Sequence, residues 1–388
     1  SGLWKGVDID GDSVTVKLSG RGDMDIAAFD SGYGQQIESI TVWGTNAKSK
    51  LTITASKKTG GDGYVDIGAI DAAGEDLKQI KVDGNLGNLV VDSVEKISLY
   101  STANLDGSLV EWYINSGLKQ LTLEGNLDYA DLVVNGNLKK VTVEGHVTDA
   151  RLLVDGELKK MEVWGDVAAN SLIDASETIG KITIDGYLEN STIATNEELN
   201  LLEVGLDVLD ADIYGQWAIW EIYVDGGMAG TIVETGGFLD WLDVWNWIEE
   251  SEILAGPEGI GTIWAYNISD TTIETDGDID HIYLDAYTPP SYDVYIIEED
   301  VWYWPVYTEV VYVDEYYYDD YYYDDYYYYT DDYYYVDYYY DDYYYVDYYD
   351  SYYDDYYYTD YYYTDIYYDP WYTDYYYTDS YYSYDVWY

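Results

Sequence analysis

From Leu118 onward the chain divides into nine consecutive segments that align almost without gaps, beginning at Leu118, Leu138, Leu158, Ile179, Leu199, Ile219, Leu239, Ile260 and Ile279. The spacing is 20 residues, with two segments of 21 and one of 19. A repeat this short is one small structural unit that cannot bury an apolar face alone, so its copies must stack on one another.

The pattern inside a unit says how they stack. In residues 138–157, Val141 and Val143 point one way while Thr142 and Glu144 point the other, the period-2 alternation of a strand. A glycine such as Gly125, Gly145, Gly165 or Gly186 often follows, where a corner calls for a permissive backbone. A second short strand then presents a small residue (Ala130, Ala150, Ser171, Ser191, Ala211, Thr231, Ser251, Thr271). Two positions on it presents a branched aliphatic one (Leu132, Leu152, Ile173, Ile193, Ile213, Val233, Ile253, Ile273). The first strand has its own column, from Leu123 through Val143, Val163, Ile184, Val204, Val224 and Val244 to Leu284 after a break at Ala265. Columns at constant spacing place like side chains on like, about 4.8 Å apart. The period and the β-branched content exclude helical repeats. The expected fold is all-β, a parallel β-solenoid (β-helix). Residues 118–288 form its regular part. Residues 1–117 form its irregular N-terminal part, with 37–44, 77–84 and 94–101 read as first strands separated by longer insertions.

Units of the form L-x-x-φ-x-φ-x-G-x-φ-x-x-S-x-I-x-A resemble the repeats of large secreted and cell-surface bacterial proteins that stack into β-helices. The resemblance covers 118–286 closely and 37–117 loosely. It implies a right-handed solenoid with an extracellular or surface role, and it brings no catalytic residues with it.

Charge narrows the partners. Seventeen Lys and Arg face 77 Asp and Glu, for a formal net charge of −60. Phosphates would meet carboxylates rather than cations, so nucleic acid and anionic membrane surfaces are excluded as partners. No run of about 20 apolar residues is present to span a bilayer. Lys181 is the last cation of the chain, so the carboxylates beyond it must stay in water, take up protons or bind metal ions. There is no cysteine. The start at Ser1-Gly2 without a methionine is that of a chain relieved of a leader, and secretion is the expected localisation.

After Pro290 the composition changes to an extended Tyr/Asp-rich tail, residues 289–388, with 44 of the 55 tyrosines and 26 Asp or Glu between Ser291 and Tyr388. Its unit is about five residues, YYYDD, YYYVD or YYYTD. Acidic low-complexity segments are ordinarily solvated coil. Tyrosine, however, is a stiff amphipathic group that gains heavily from burial. Fully extended, these residues would reach roughly 320 Å, while nine coils rise about 40 Å, so the tail can run along a neighbouring subunit. Tyr316, Tyr317, Tyr318, Tyr321, Tyr322, Tyr323, Tyr333, Tyr338, Tyr343, Trp371 and Trp387 are the candidate self-assembly residues. Trp217, Trp220, Trp241, Trp245, Trp247 and Trp264 are expected to include outward-facing rings that receive them. The pairs Asp319-Asp320, Asp324-Asp325, Asp331-Asp332, Asp341-Asp342 and Asp354-Asp355 offer hard oxygen ligands suited to Ca²⁺, and no EF-hand spacing is expected. Asn190 and Asn267 head N-glycosylation sequons.

No catalytic residues are expected. His146 and His281 stand far apart in the repeat, and abundant carboxylates give paired acids no diagnostic value. The reading is a structural subunit of an extracellular filament or surface layer, a homo-oligomer joined by head-to-tail solenoid and tail contacts. The alternatives are an adhesin or a metal- or mineral-binding protein using the tail and, more remotely, a polysaccharide-active β-helix enzyme.

Overall fold

The computed structural model describes residues 2–284 except 31, 33 and 59, and the backbone of the strands Val294–Glu298, Val310–Tyr312, Tyr335–Tyr339, Tyr343–Tyr349 and Tyr358–Tyr363. Among these residues every regular element is a strand, and no helix is long and apolar enough to cross a membrane.

The 20-residue unit is one coil of a parallel β-solenoid of about 11 turns. Each coil has three faces. In the coil starting at Leu138 they are Val141–Val143, Val147–Thr148 and Arg151–Val154, here faces 1, 2 and 3. Face 1 stacks Leu121 on Val141, Met161 and Ile182, and face 3 stacks Leu132 on Leu152, Ile173 and Ile193. Backbone groups bond alternately to the coil on either side. The Val141 amide donates to the Lys160 carbonyl at 2.9 Å and the Glu144 amide to the Leu123 carbonyl at 2.9 Å. A coil satisfies its backbone only between two others.

The three inward columns read from the sequence are buried throughout, and Ala265 occupies the same register between Val244 and Leu284. Serine and threonine are tolerated in the small-residue column because their hydroxyls donate to a carbonyl two or, at Ser171, three residues back. Ser191 bonds Glu189 at 2.8 Å, Thr231 bonds Ala229 at 3.0 Å and Ser251 bonds Glu249 at 2.8 Å. A buried hydroxyl without such a bond would be destabilising.

The corner glycines act differently from the expectation. Left-handed backbone occurs instead just before the small residue, at Tyr129, Asp149, Asn170, Asn190, Asp210, Gly230, Glu250 and Asp270, with φ between 45° and 61°. Asp, Asn and Gly dominate there because they enter this region at least cost. Gly165 is needed for close approach, since a Cβ on it would lie 2.7 Å from the carbonyl oxygen of Gly145 in the adjacent coil. The residue after each such glycine then ties coil to coil. Asn126 Oδ1 accepts the His146 amide at 3.0 Å, His146 Nδ1 the Asp166 amide at 3.0 Å, and Asp166 Oδ1 the Tyr187 amide at 2.9 Å.

Upstream, Ile80 stacks on Ile97 and Ile97 on Leu121, continuing face 1. The segment 37–44 lies on face 3, through Ile40, Ile70, Leu89, Trp112 and Leu132. Face 1 at that level is Lys50–Ser56, with Leu51 on Ile80. Both faces carry the same apolar alternation, so periodicity does not distinguish them. Beneath, the parallel order ends. Ser13–Ser19 adds antiparallel to Lys50–Ser56 and Leu3–Val7 antiparallel to Ser13–Ser19, while Asp23–Asp30 adds antiparallel to Gln35–Trp43. At the opposite end, the backbones of Val294–Glu298 and Val310–Tyr312 pair parallel with Thr271–Thr275 and Ile282–Leu284.

Ile193→Ala, inside the stack, is expected to lower stability by about 2–5 kcal/mol, and Gly165→Ala by about 1–3 kcal/mol through overpacking. Chemical denaturation followed by circular dichroism measures both, and a loss under about 0.5 kcal/mol, the ordinary surface level, would refute the assigned packing.

Candidate functional site

The outward side of face 1 changes character along the solenoid. In the middle coils it is neutralised: Lys140 and Lys160 reach Glu162 at 2.7 and 2.6 Å, and Lys181 reaches Glu203 at 2.6 Å. Hydrogen bonds from the two lysines hold the Glu162 carboxyl at about 2. Past Lys181 the same two outward columns continue without cations. One runs Glu203, Tyr223, Asp243, Trp264, Tyr283, and the other Leu201, Glu221, Trp241, Thr262, His281. Burial, then repulsion from Asp225, pushes the Asp243 carboxyl above its ordinary value. Burial, with the charges of Glu221, Asp243 and Glu203, pushes the Tyr223 hydroxyl up.

These coils also expose aromatic surface. Trp217 is 61% and Trp245 67% exposed, with Trp220 and Tyr266 also outside. Trp241, Trp247 and Trp264 are half-buried, and none of the six tryptophans lies in the inward columns. Trp245 and Trp264 pair with ring centroids 6.1 Å apart, and Trp220 meets Phe238 edge-on at 6.4 Å. Large rings left in water on neighbouring coils form a surface suited to association.

A second cluster lies in the turn between Leu3–Val7 and Ser13–Ser19. Asp8, Asp10 and Asp12 each direct a carboxylate oxygen to within 4.8 Å of the others. Asp8 Oδ1 accepts the amides of Gly11 at 3.0 Å and Asp12 at 2.6 Å. Asp12, fully buried, accepts the amides of Lys58 at 2.6 Å and Gly63 at 2.5 Å, and Asp10 that of Asp62 at 2.9 Å. The turn is thereby fastened to the 57–64 loop that leads into the first long coil strand. Burial, and contact with the Asp10 carboxyl, raise Asp8 to about 7. Sequence alone does not single out this triplet, because only the first half of a calcium-loop pattern is present. The spacing 8, 10, 12 matches its first three ligands, but Ser13 and Ser19 stand where glycine and glutamate belong.

No family model, curated protein or solved structure matches this chain. The functional reading therefore rests on its own surfaces.

Of the residues singled out in the sequence, Asn190 is exposed at a left-handed corner, but the next residue of its sequon, Ser191, is buried and bonded to the backbone. Asn267 is half-buried at the corner column, in register with Trp247. His146 is a rung of the corner ladder, and His281 stacks on Tyr283 at 5.4 Å. Tyr338 and Tyr343 lie in backbone strands that pair antiparallel. The side chains of both, the other tail tyrosines, Trp371, Trp387 and the ten tail aspartates lie outside the described residues.

The two carboxylates make opposite contributions to stability. Glu162 is depressed in the fold, so its contribution is complete above about pH 4.5, its ordinary value, and is lost as the pH falls towards 2. Asp243 is raised, so its ionisation opposes folding as the pH rises above its ordinary value. Asp243→Asn is expected to raise the melting temperature at pH 7, by an amount that vanishes below about pH 4. Glu162→Gln is expected to lower it at pH 7. Thermal melts across this range check both signs.

Proposed function

We propose that this protein is a structural subunit of an extracellular filament or surface layer in which the tyrosine-rich tail straps one solenoid to the next. The observation that carries the reading is the coincidence of exposed tryptophans, Trp217, Trp220 and Trp245, with the cation-free coils beside which the tail departs. Indole faces in water gain from burial against tyrosine rings, and an extended segment adds backbone hydrogen bonds as it docks. The resemblance of the repeat to secreted bacterial solenoids supports the extracellular setting, and calcium bridging between tail aspartates would offset their mutual repulsion.

The N-terminal end favours the tail over coil-on-coil stacking as the joint. The outermost strands there, Leu3–Val7 and Asp23–Asp30, carry Lys5, Asp23 and Asp25 and a register shift between Ala27 and Ala28. Charges and irregularities of this kind keep an edge from pairing with another sheet.

Electron microscopy of the full-length chain beside a truncation at Pro290, with and without calcium, tests the proposal. Filaments or sheets are expected from the full-length protein alone, and Trp217→Ser combined with Trp245→Ser is expected to reduce them. Monodisperse particles from every sample would overturn it and leave the adhesin or mineral-binding reading, in which the acidic tyrosine tail meets a foreign surface.

A further inference from the structure

We propose that Asp8, Asp10 and Asp12 form a calcium site that fastens the antiparallel N-terminal strands to the first coil of the solenoid. The reading is independent of the assembly proposal, because it concerns the opposite end of the molecule from the tail.

Two observations meet here. The first is the ligand set, three carboxylates from alternate residues of one tight turn. Two ligands of one Ca²⁺ at about 2.4 Å lie no more than about 4.8 Å apart, and the three carboxylate oxygens lie within that limit of one another. The second is a buried acceptor with nothing to accept. Asp8 is only 7% exposed, and its Oδ2 is buried without a hydrogen-bond partner while its carboxyl faces that of Asp10. Among the described residues no lysine or arginine pairs with Asp8, Asp10 or Asp12. A carboxylate withdrawn from water without a counter-charge is strongly destabilising. An amide donor would satisfy it, but the nearby amides of Gly11, Asp12, Lys58, Asp62 and Gly63 are already engaged by the other carboxylate oxygens. The remaining complement is a cation or a proton shared between Asp8 and Asp10.

Oxygen-only ligation selects a hard ion, and three carboxylates completed by water suit the larger, less exacting Ca²⁺ over Mg²⁺. The amide bonds to Asp10 and Asp12 come from the 57–64 loop, so neutralising the cluster also holds that loop. The ion would join two segments about 50 residues apart in sequence, as the Asp12–Lys58 and Asp10–Asp62 hydrogen bonds already do.

Hydrogen–deuterium exchange on the full-length chain at physiological salt reads this locally, apart from any calcium taken up by the tail. At about 1 mM calcium, against a site in the range of extracellular modules, exchange in peptides covering 8–12 and 57–64 is expected to slow together by about tenfold relative to chelator. Peptides within 141–204 should not change. Asp8→Asn, which keeps the side-chain shape, and Asp10→Asn, at the exposed position, are each expected to abolish the calcium effect. Unchanged exchange within 141–204 shows that the variants fold. If Asp8→Asn does not fold, the wild-type difference and Asp10→Asn decide the matter. No calcium response in these two segments of the wild type would overturn the site. So would an equal response in the variants, or full protection in chelator, the signature of a shared proton.

Discussion

The structure depends on one constraint: each backbone group of a coil hydrogen-bonds to the coil above or below it, in register and in parallel. Parallel in-register pairing forces residue i to sit on the residue about 20 positions away, as Leu121 sits on Val141 and Met161. Whatever a position carries is then repeated at strand spacing along the stack. For apolar side chains this is favourable, and the inward columns are continuous from one end to the other. It is also why a Cβ is excluded at Gly165, where adjacent backbones approach too closely. For side chains with charge it is a difficulty, and much of the surface is a response to it.

A stack of this kind has two ends with unpaired backbone, and the chain treats them differently. The N-terminal end changes from parallel to antiparallel pairing and finishes on strands that carry charge and a register irregularity. The other end continues, with backbone strands beyond residue 290 adding in parallel to the last coils. Charge and irregularity guard the N-terminal edge against pairing with another sheet, while at the other end the chain carries its own parallel pairing further. The two ends of the solenoid are therefore unlike one another.

The vertical part of this architecture was legible in the sequence because stacking writes it as columns. Leu132 to Ile273 could be placed inside the solenoid from spacing and side-chain type alone. Features that depend on direction around the coil were less legible. Residues 37–44 share their alternation with both faces, and only the pairing of Ile40 with Ile70 puts them on face 3. Glycine drew attention to the wrong corner, because close approach and left-handed backbone both select it. The left-handed position was written mostly in aspartate and asparagine, from Asp149 to Asp270. The outward tryptophans were legible from their absence from the inward columns. The Asp8 turn was not, because half a ligand pattern gains meaning only when burial strips one oxygen of every partner.

The loss of cations and the gain of aromatics along the later coils are two sides of one arrangement. A column of carboxylates on adjacent coils would place like charges about 4.8 Å apart, well inside the screening length of about 8–10 Å at ordinary salt. While lysines last, they separate or neutralise the acids, as Lys140 and Lys160 do for Glu162. After Lys181 the same column interposes Tyr223 between Glu203 and Asp243 and follows with Trp264 and Tyr283. An aromatic rung doubles the distance between acids to about 9.6 Å, where screening takes effect, and it shields the backbone with a wide side chain. Tyr223, Trp264 and Tyr283 stay half-buried in that column, while the exposed rings of Trp217, Trp220 and Trp245 lie outside it. The tail of tyrosine triplets and aspartates combines the same two residue types, aromatic and acidic.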